Sequence, residues 1–305
     1  MGLQHATVSP HMTPYRSGFT IDAVPEEAMT DTNHRPLLEK YQTWIGMLNW
    51  LGTSTRPDLA PVVSLLSSYL SKPSSGHLDA VKYAGRYLKA TAHYGLVYSS
   101  NRNDRVEAYV NFPLDPLIQP IADDGTLLPS LQGFADANWG PQDASVPTPH
   151  NMCKISPVET QSVCGHLLFL CGAPILWKSQ KELRNSHSSC ESEIKATDEC
   201  TKNIWYIRNI LDDLALLDIN TPTTIYNDNR GAVDWANTTS NKNMRHFNIR
   251  ENSVRKSIHE FHEVRVEHIG GILNPSDLFT KEFKSDEVFR LLRDLILSPR
   301  LDGGC

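Results

Sequence analysis

The hydrophobic rhythm of this chain changes at Leu131. Before that point apolar residues recur every three or four positions. Leu38, Tyr41, Ile45, Leu48 and Leu51 form one series, and Leu59, Val62, Val63, Leu66 and Leu70 a second. Leu78, Val81, Ala84 and Leu88 form a third. Such spacing puts each series on one face of an α-helix. Pro57, Pro73 and Gly76 punctuate the three helices. From Leu131 onward the pattern turns strand-like, over 131–136, 163–170 and 173–178. A long helix is predicted over about 189–217, then a strand over 223–228 and a short helix over 229–237. A helix near 248–259, a strand over 263–269 and a terminal helix over about 275–297 complete the series. Strands alternating with helices in this order build a mixed α/β sheet covered by helices. The expected organisation is an extended leader over 1–35, a helical segment over 36–130 and an α/β domain over 131–305. Within the helical segment, 94–98 reads as a strand and 99–130, with its Pro, Gly and Asp, as a linker or irregular lobe.

Composition narrows the function classes. Hydrophobic content of 40% with 21% charged residues describes a globular chain. The longest apolar stretch, LLFLCGAPILW, is broken by Gly172 and Pro174 and is too short to span a bilayer. No basic-then-apolar leader opens the sequence, so an intracellular protein is expected. The six cysteines (153, 164, 171, 190, 200 and 305) form no CxxC pair, which argues against a zinc knuckle and for buried thiols. A net charge of −6 argues against strong nonspecific nucleic-acid binding. Between Asn241 and Arg265, however, six Lys/Arg face three Glu. Such a basic strip suits a nuclease and is equally consistent with a solvated helix face.

Four carboxylates stand at element ends: Asp136 in LQGFADANWG, Glu193 in SSCESEIKA, Asp228 in TIYNDNRGA and Asp277 in NPSDLFTK. Mg²⁺ is a hard cation that takes oxygen ligands. Two such ions about 4 Å apart can clamp the attacking and leaving oxygens of a phosphodiester displacement. Glu193 is the most telling, because Glu191 competes with it. Residues two apart on a helix point about 200° apart, so only one of them faces the sheet. The apolar stripe through Ile194, Thr197, Cys200, Ile204, Ile207, Leu211 and Leu214 contains Glu193 and opposes Glu191. Ser188 and Glu191 also match a capping box, which gives Glu191 a structural role. A carboxylate on a core-facing stripe costs several kcal/mol unless paired or metal-bound. A helix-end salt bridge is the alternative for Glu193. Asp136 can also be read as a turn residue, Asp228 as a helix N-cap and Asp277 as a charge favouring a helix dipole. His268, followed closely by Gly270 and Gly271, is either an ordinary strand-end histidine or a proton-transfer group on a freely moving loop. Asp123-Asp124 lies in a Pro-rich stretch and reads as a turn.

Longer motifs add a family resemblance. TPYRSGFTIDAVP, YQTWIGMLNWLGTSTRPDLAPVVSLLSSYL and HLDAVKYAGRYLKAT resemble the segment after the reverse-transcriptase palm in the Pol polyprotein of copia-type LTR retrotransposons. FADANW, APILWKSQK, SSCESEIKA, YNDNRGA, RHFNIR and NPSDLFTKEF resemble its ribonuclease H domain. The resemblance runs over roughly residues 12–290. It implies a ribonuclease H-like fold, a mixed five-stranded sheet with flanking helices behind a helical connection segment. It implies cleavage of the RNA strand of RNA–DNA hybrids with two Mg²⁺ ions, Mn²⁺ being a substitute. Asp136, Glu193, Asp228 and Asp277 correspond to the family's catalytic, metal-binding acids, and His268 to a loop histidine before the last acid. Cytoplasmic virus-like particles or the nucleus are the implied locations, and a polymerase domain supplied elsewhere is an implied partner. The sequence departs from the family in a long link over 140–162, with Glu159 where a basic residue is expected, and in Glu-Ser-Glu-Ile for Glu-Ala-Glu-Tyr. The paired aspartates of a polymerase palm do not precede residue 36. The rival reading is a catalytically silent remnant that serves as a nucleic-acid-binding or structural lobe.

Overall fold

The computed structural model describes residues 13–15, 34–98, 131–139, 162–182, 186, 188–216, 220–239, 252–281, 283 and 286–299. Most of the expected leader, the 99–130 linker, the long link over 140–161 and much of the basic strip (241–251) lie outside the described residues. The described residues fall into two compact units, one helical and one built on a sheet. Among them no helix is long and apolar enough to cross a membrane.

The helical unit contains α1 (His34–Ser54), a 3₁₀ turn (Pro57–Leu59), α2 (Ala60–Ser67), α3 (Ser75–Ala90) and the two-residue strand β1 (Tyr94–Gly95). The stripes read from the sequence face inward: Tyr41, Ile45, Leu48, Val62, Leu66, Val81 and Ala84 are all buried. Tyr41 also donates its hydroxyl to the Leu66 carbonyl at 2.7 Å. Beside these apolar contacts sits a buried charge. Asp58 is fully buried and accepts from Arg56 Nε at 2.9 Å and Nη2 at 2.7 Å. Tyr87 donates to the same carboxylate at 2.5 Å. Burial, and then the Asp58 charge, push the Tyr87 phenol far above its ordinary pKa.

In the sheet unit, β2 (Leu131–Asn138), β3 (Val163–Leu170) and β4 (Ala173–Lys181) form an antiparallel meander. Cys171 and Gly172 connect β3 to β4 with φ of 51° and 72°. Positive φ at both central residues is the requirement of a type I′ two-residue hairpin loop. The chain continues through α4 (Ser189–Asp213), β5 (Thr223–Asn227), α5 (Arg230–Asn237), α6 (Asn252–His259) and β6 (Val264–His268). The spatial order is β4-β3-β2-β5-β6. β5 runs parallel to both β2 and β6, so the sheet is mixed. One face of β2 lies tight against α4, since a Cβ added to Gly133 would sit 2.7 Å from Cys200 Sγ. On the other face Phe134 stacks on Tyr226 at 5.1 Å.

The C-terminal part differs from the single helix expected over 275–297. Asn274 and Pro275 instead start a five-residue 3₁₀ turn, Pro275–Phe279. A separate helix, α7 (Asp286–Ile296), is followed by the short strand β7 (Ser298–Pro299). This helix is part of the helical unit, whereas the sequence reading ran the α/β domain to 305. Its Phe289 meets the rings of Tyr15, Tyr87 and Phe283 edge-on, and β7 pairs with β1. Sequence periodicity shows that a helix has an apolar face but not which core receives it. The thiols also depart from the uniformly buried expectation: Cys164 and Cys200 are buried, but Cys171 is exposed.

Candidate metal centre

Asp136, Asp228 and Asp277 converge. Each offers one carboxylate oxygen, and the three oxygens lie within 4.8 Å of one another. Asp136 and Asp277 are buried, and Asp228 is half-buried. Three different elements deliver them. Asp136 lies near the end of β2, opposite Gly165 of β3. Its Oδ2 accepts from the Thr280 hydroxyl. Asp228 follows the last residue of β5. It is not the N-cap of α5, because the neighbouring Asn229 takes that role and accepts from Ala232 N at 3.1 Å.

Asp277 is carried by the 3₁₀ turn, which is stitched onto the sheet. Asn274 donates from Nδ2 to the Ala135 carbonyl at 3.0 Å. Its Oδ1 accepts from Ser276 N at 3.2 Å and from Ser276 Oγ at 2.5 Å. Ser179 of β4 donates to the Phe279 carbonyl at 2.7 Å. A glycine makes this contact possible, for a Cβ on Gly165 would lie 2.6 Å from Thr280 Cγ2 and 2.7 Å from Phe279 Cβ.

Glu193 is buried on the sheet-facing side of α4, as the helical phase predicts, and Glu191 is half-buried with Lys195 at 3.0 Å. Ser188 caps α4 by accepting from Glu191 N. Leu214 leaves the expected stripe and is exposed, because the helix ends at Asp213. Glu193 stands beside the trio rather than within the set of converging oxygens. Its Oε2 accepts from the backbone N–H of Ala137, the residue after Asp136, at 3.1 Å, and from Asn227 Nδ2 at 3.0 Å. A second buried acid, Glu182 at the end of β4, anchors the start of α4. It accepts from the hydroxyls of Ser186 and Ser192 and pairs with Lys195 at 3.2 Å.

His268 is exposed at the end of β6, with Nε2 3.1 Å from the Asp228 carbonyl. The two glycines after it act differently from the expected loop freedom. Gly270 is at φ −67°, and Gly271 begins a 3₁₀ turn. A Cβ on Gly271 would lie 3.1 Å from Asp228 Oδ2, so its service is close approach to a carboxylate. Sequence reasoning missed Asn227, Thr280 and Gly165. An isolated glycine inside a strand pattern was the available signal for the last of these.

Three carboxylates on converging elements, with oxygen the only donor atom offered, fit a hard divalent cation such as Mg²⁺ or Mn²⁺. The chain is 26% identical over 277 residues to the "Retrovirus-related Pol polyprotein from transposon RE1" of Arabidopsis thaliana, covering 90% of this chain and 16% of that protein. It is 24% identical over 258 residues to the "Retrovirus-related Pol polyprotein from transposon TNT 1-94" of Nicotiana tabacum, covering 84% of this chain and 16% of the relative. The chain is a homologue of copia-type retrotransposon Pol polyproteins. It matches only a small part of their length. A 167-residue stretch, 54% of this chain, is also 29% identical to the "Secreted RxLR effector protein 161" of Plasmopara viticola, of which it covers 89%. No protein-family profile matches the chain.

Proposed function

We propose that the sheet unit is a metal-dependent ribonuclease H-type endonuclease that cleaves the RNA strand of RNA–DNA hybrids. On this reading the helical unit is the connection segment of a Pol polyprotein. The observation that carries the proposal is the convergence of Asp136, Asp228 and Asp277 from β2, the β5 terminus and the 3₁₀ turn. Similarity to Pol polyproteins supports the substrate class, and the mixed five-stranded sheet is consistent with a ribonuclease H-like fold.

Asp136, Asp228 and Asp277 would hold the cation, and Glu193 would complete the set from α4. A bound divalent ion supplies a water of lowered pKa and neutralises charge on the scissile phosphate. The three carboxylates would fix where such an ion stands in the sheet unit. His268, exposed beside Asp228, would carry a proton to or from the reacting oxygens. Hybrid recognition would rest on 2′-hydroxyls and groove shape rather than on base sequence.

The test is a panel of end-labelled RNA–DNA hybrid, duplex RNA, duplex DNA and single-stranded RNA, incubated with Mg²⁺ or with EDTA. Cleavage of the hybrid's RNA strand alone, dependent on the metal, is expected. Absence of any metal-dependent cleavage would leave the silent lobe as the better description.

A further inference from the structure

We infer that Asn227 is a positioning residue, a brace that fixes Glu193 against the turn carrying Asp228. The inference rests on the metal-centre reading and deepens it. Asn227 ends β5 and pairs in register with Ala135 of β2. Strand alternation therefore sends its side chain to the α4 face, opposite to Asp136. It is fully buried. The amide is used at both ends. Oδ1 accepts from the N–H of Asn229 at 2.7 Å, and Nδ2 donates to Glu193 Oε2 at 3.0 Å. A further contact reaches Thr197 Oγ1 at 3.4 Å.

The two ends determine the amide's orientation. A backbone N–H can only donate, so the oxygen must face Asn229 and the NH₂ must face the carboxylate. One side chain thus ties Glu193, on α4, to the residue that directly follows Asp228. The Ala137 N–H supplies the second donor to the same Glu193 oxygen at 3.1 Å, one residue beyond Asp136. Through Asn227 and this backbone amide, Glu193 is referenced to two of the three converging aspartates. Supporting groups of this kind typically contribute about 10–100-fold in metal affinity.

The test uses the full chain and reads Mn²⁺ affinity by electron paramagnetic resonance, below the melting temperature of every variant. Asn227→Ala should weaken Mn²⁺ binding by about 10–100-fold. Thr197→Val should stay near wild type, because both donors to Glu193 Oε2 remain. Asn227 acts through Glu193, so Glu193→Gln and the Glu193→Gln/Asn227→Ala double variant should bind Mn²⁺ equally well. Should Asn227→Ala fail to fold by circular dichroism, Asn227→Ser takes its place with the same expectations. Wild-type affinity in the Asn227 variant, or full additivity in the double variant, would overturn the inference alone. No Mn²⁺ binding by the wild type would overturn the metal centre and the brace together.

Discussion

Gly165→Ala is a small change with a large expected effect on the metal centre. A Cβ at residue 165 would sit 2.6 Å from Thr280 Cγ2 and 2.7 Å from Phe279 Cβ. Carbon atoms in ordinary contact stand about 3.5–4.0 Å apart. The shortfall is therefore about 1 Å. Phe279 Cβ is fixed to its own backbone, so a rotamer change does not relieve the clash. The Pro275–Phe279 turn has to retreat, and Asp277 sits within it. Metal–ligand distances in real sites stay within about 0.2 Å of their ordinary values. Mn²⁺ affinity should fall by about 10–100-fold. Overpacking should cost about 1–3 kcal/mol of unfolding free energy in guanidinium titrations without metal. Gly133→Ala is the matched control, because its Cβ would meet Cys200 Sγ at 2.7 Å on the opposite, α4 face. It should lose comparable stability and much less metal affinity. If Gly165→Ala loses stability yet binds Mn²⁺ like the wild type, the claim that this glycine sets the position of Asp277 is wrong.

Glu193→Gln should weaken Mn²⁺ binding and suppress hybrid cleavage, while Glu191→Gln should retain most of both; the reverse order would refute the helical phase assigned to α4. Burial, and then the Lys178 charge, lower the His166 pKa to about 4, from an ordinary 6.5. The folded state thus binds fewer protons, and this contribution to stability is complete above pH 6.5 and lost as pH falls towards 4. At pH 5 the loss is about 2 kcal/mol; His166→Gln should flatten the stability profile by that amount, and an unchanged profile would contradict a buried neutral imidazole. Asp58→Ala should destabilise the helical unit by about 3–5 kcal/mol, because it strands the buried Arg56 guanidinium. Arg56→Met with Asp58→Leu and Tyr87→Phe, which also removes the hydroxyl that donates to Asp58, should recover most of that loss in chemical unfolding, and equal damage in Asp58→Ala and the triple variant would show that the buried polar cluster is not the cause.

Much of the sheet unit was legible because its patterns are local. Short strand-like runs marked β2 and β3, and a helical projection separated Glu193 from Glu191. The centre was legible as four acids, but its convergence was not. Asp277 was read onto a helix, whereas Asn274 and Pro275 hold it on a 3₁₀ turn that cannot be told from a helix start by residue type. Asn227, Thr280 and Gly165 escaped notice because their importance lies in partners 34, 144 and 114 residues distant in sequence. Destination was equally hidden. The apolar face of α7 packs against Tyr15 and Tyr87, and no spacing within 286–296 reveals that.

The central claim is that Asp136, Asp228 and Asp277 share a divalent cation. Anomalous diffraction at the manganese edge, from crystals of the full chain grown with Mn²⁺, tests it directly. A peak among the three carboxylates, about 2.1 Å from their nearest oxygens, is the expected result, and it should vanish in Asp136→Asn crystals grown identically. A map with no peak among these residues at saturating Mn²⁺, or one whose peak persists unchanged in Asp136→Asn, would contradict the account.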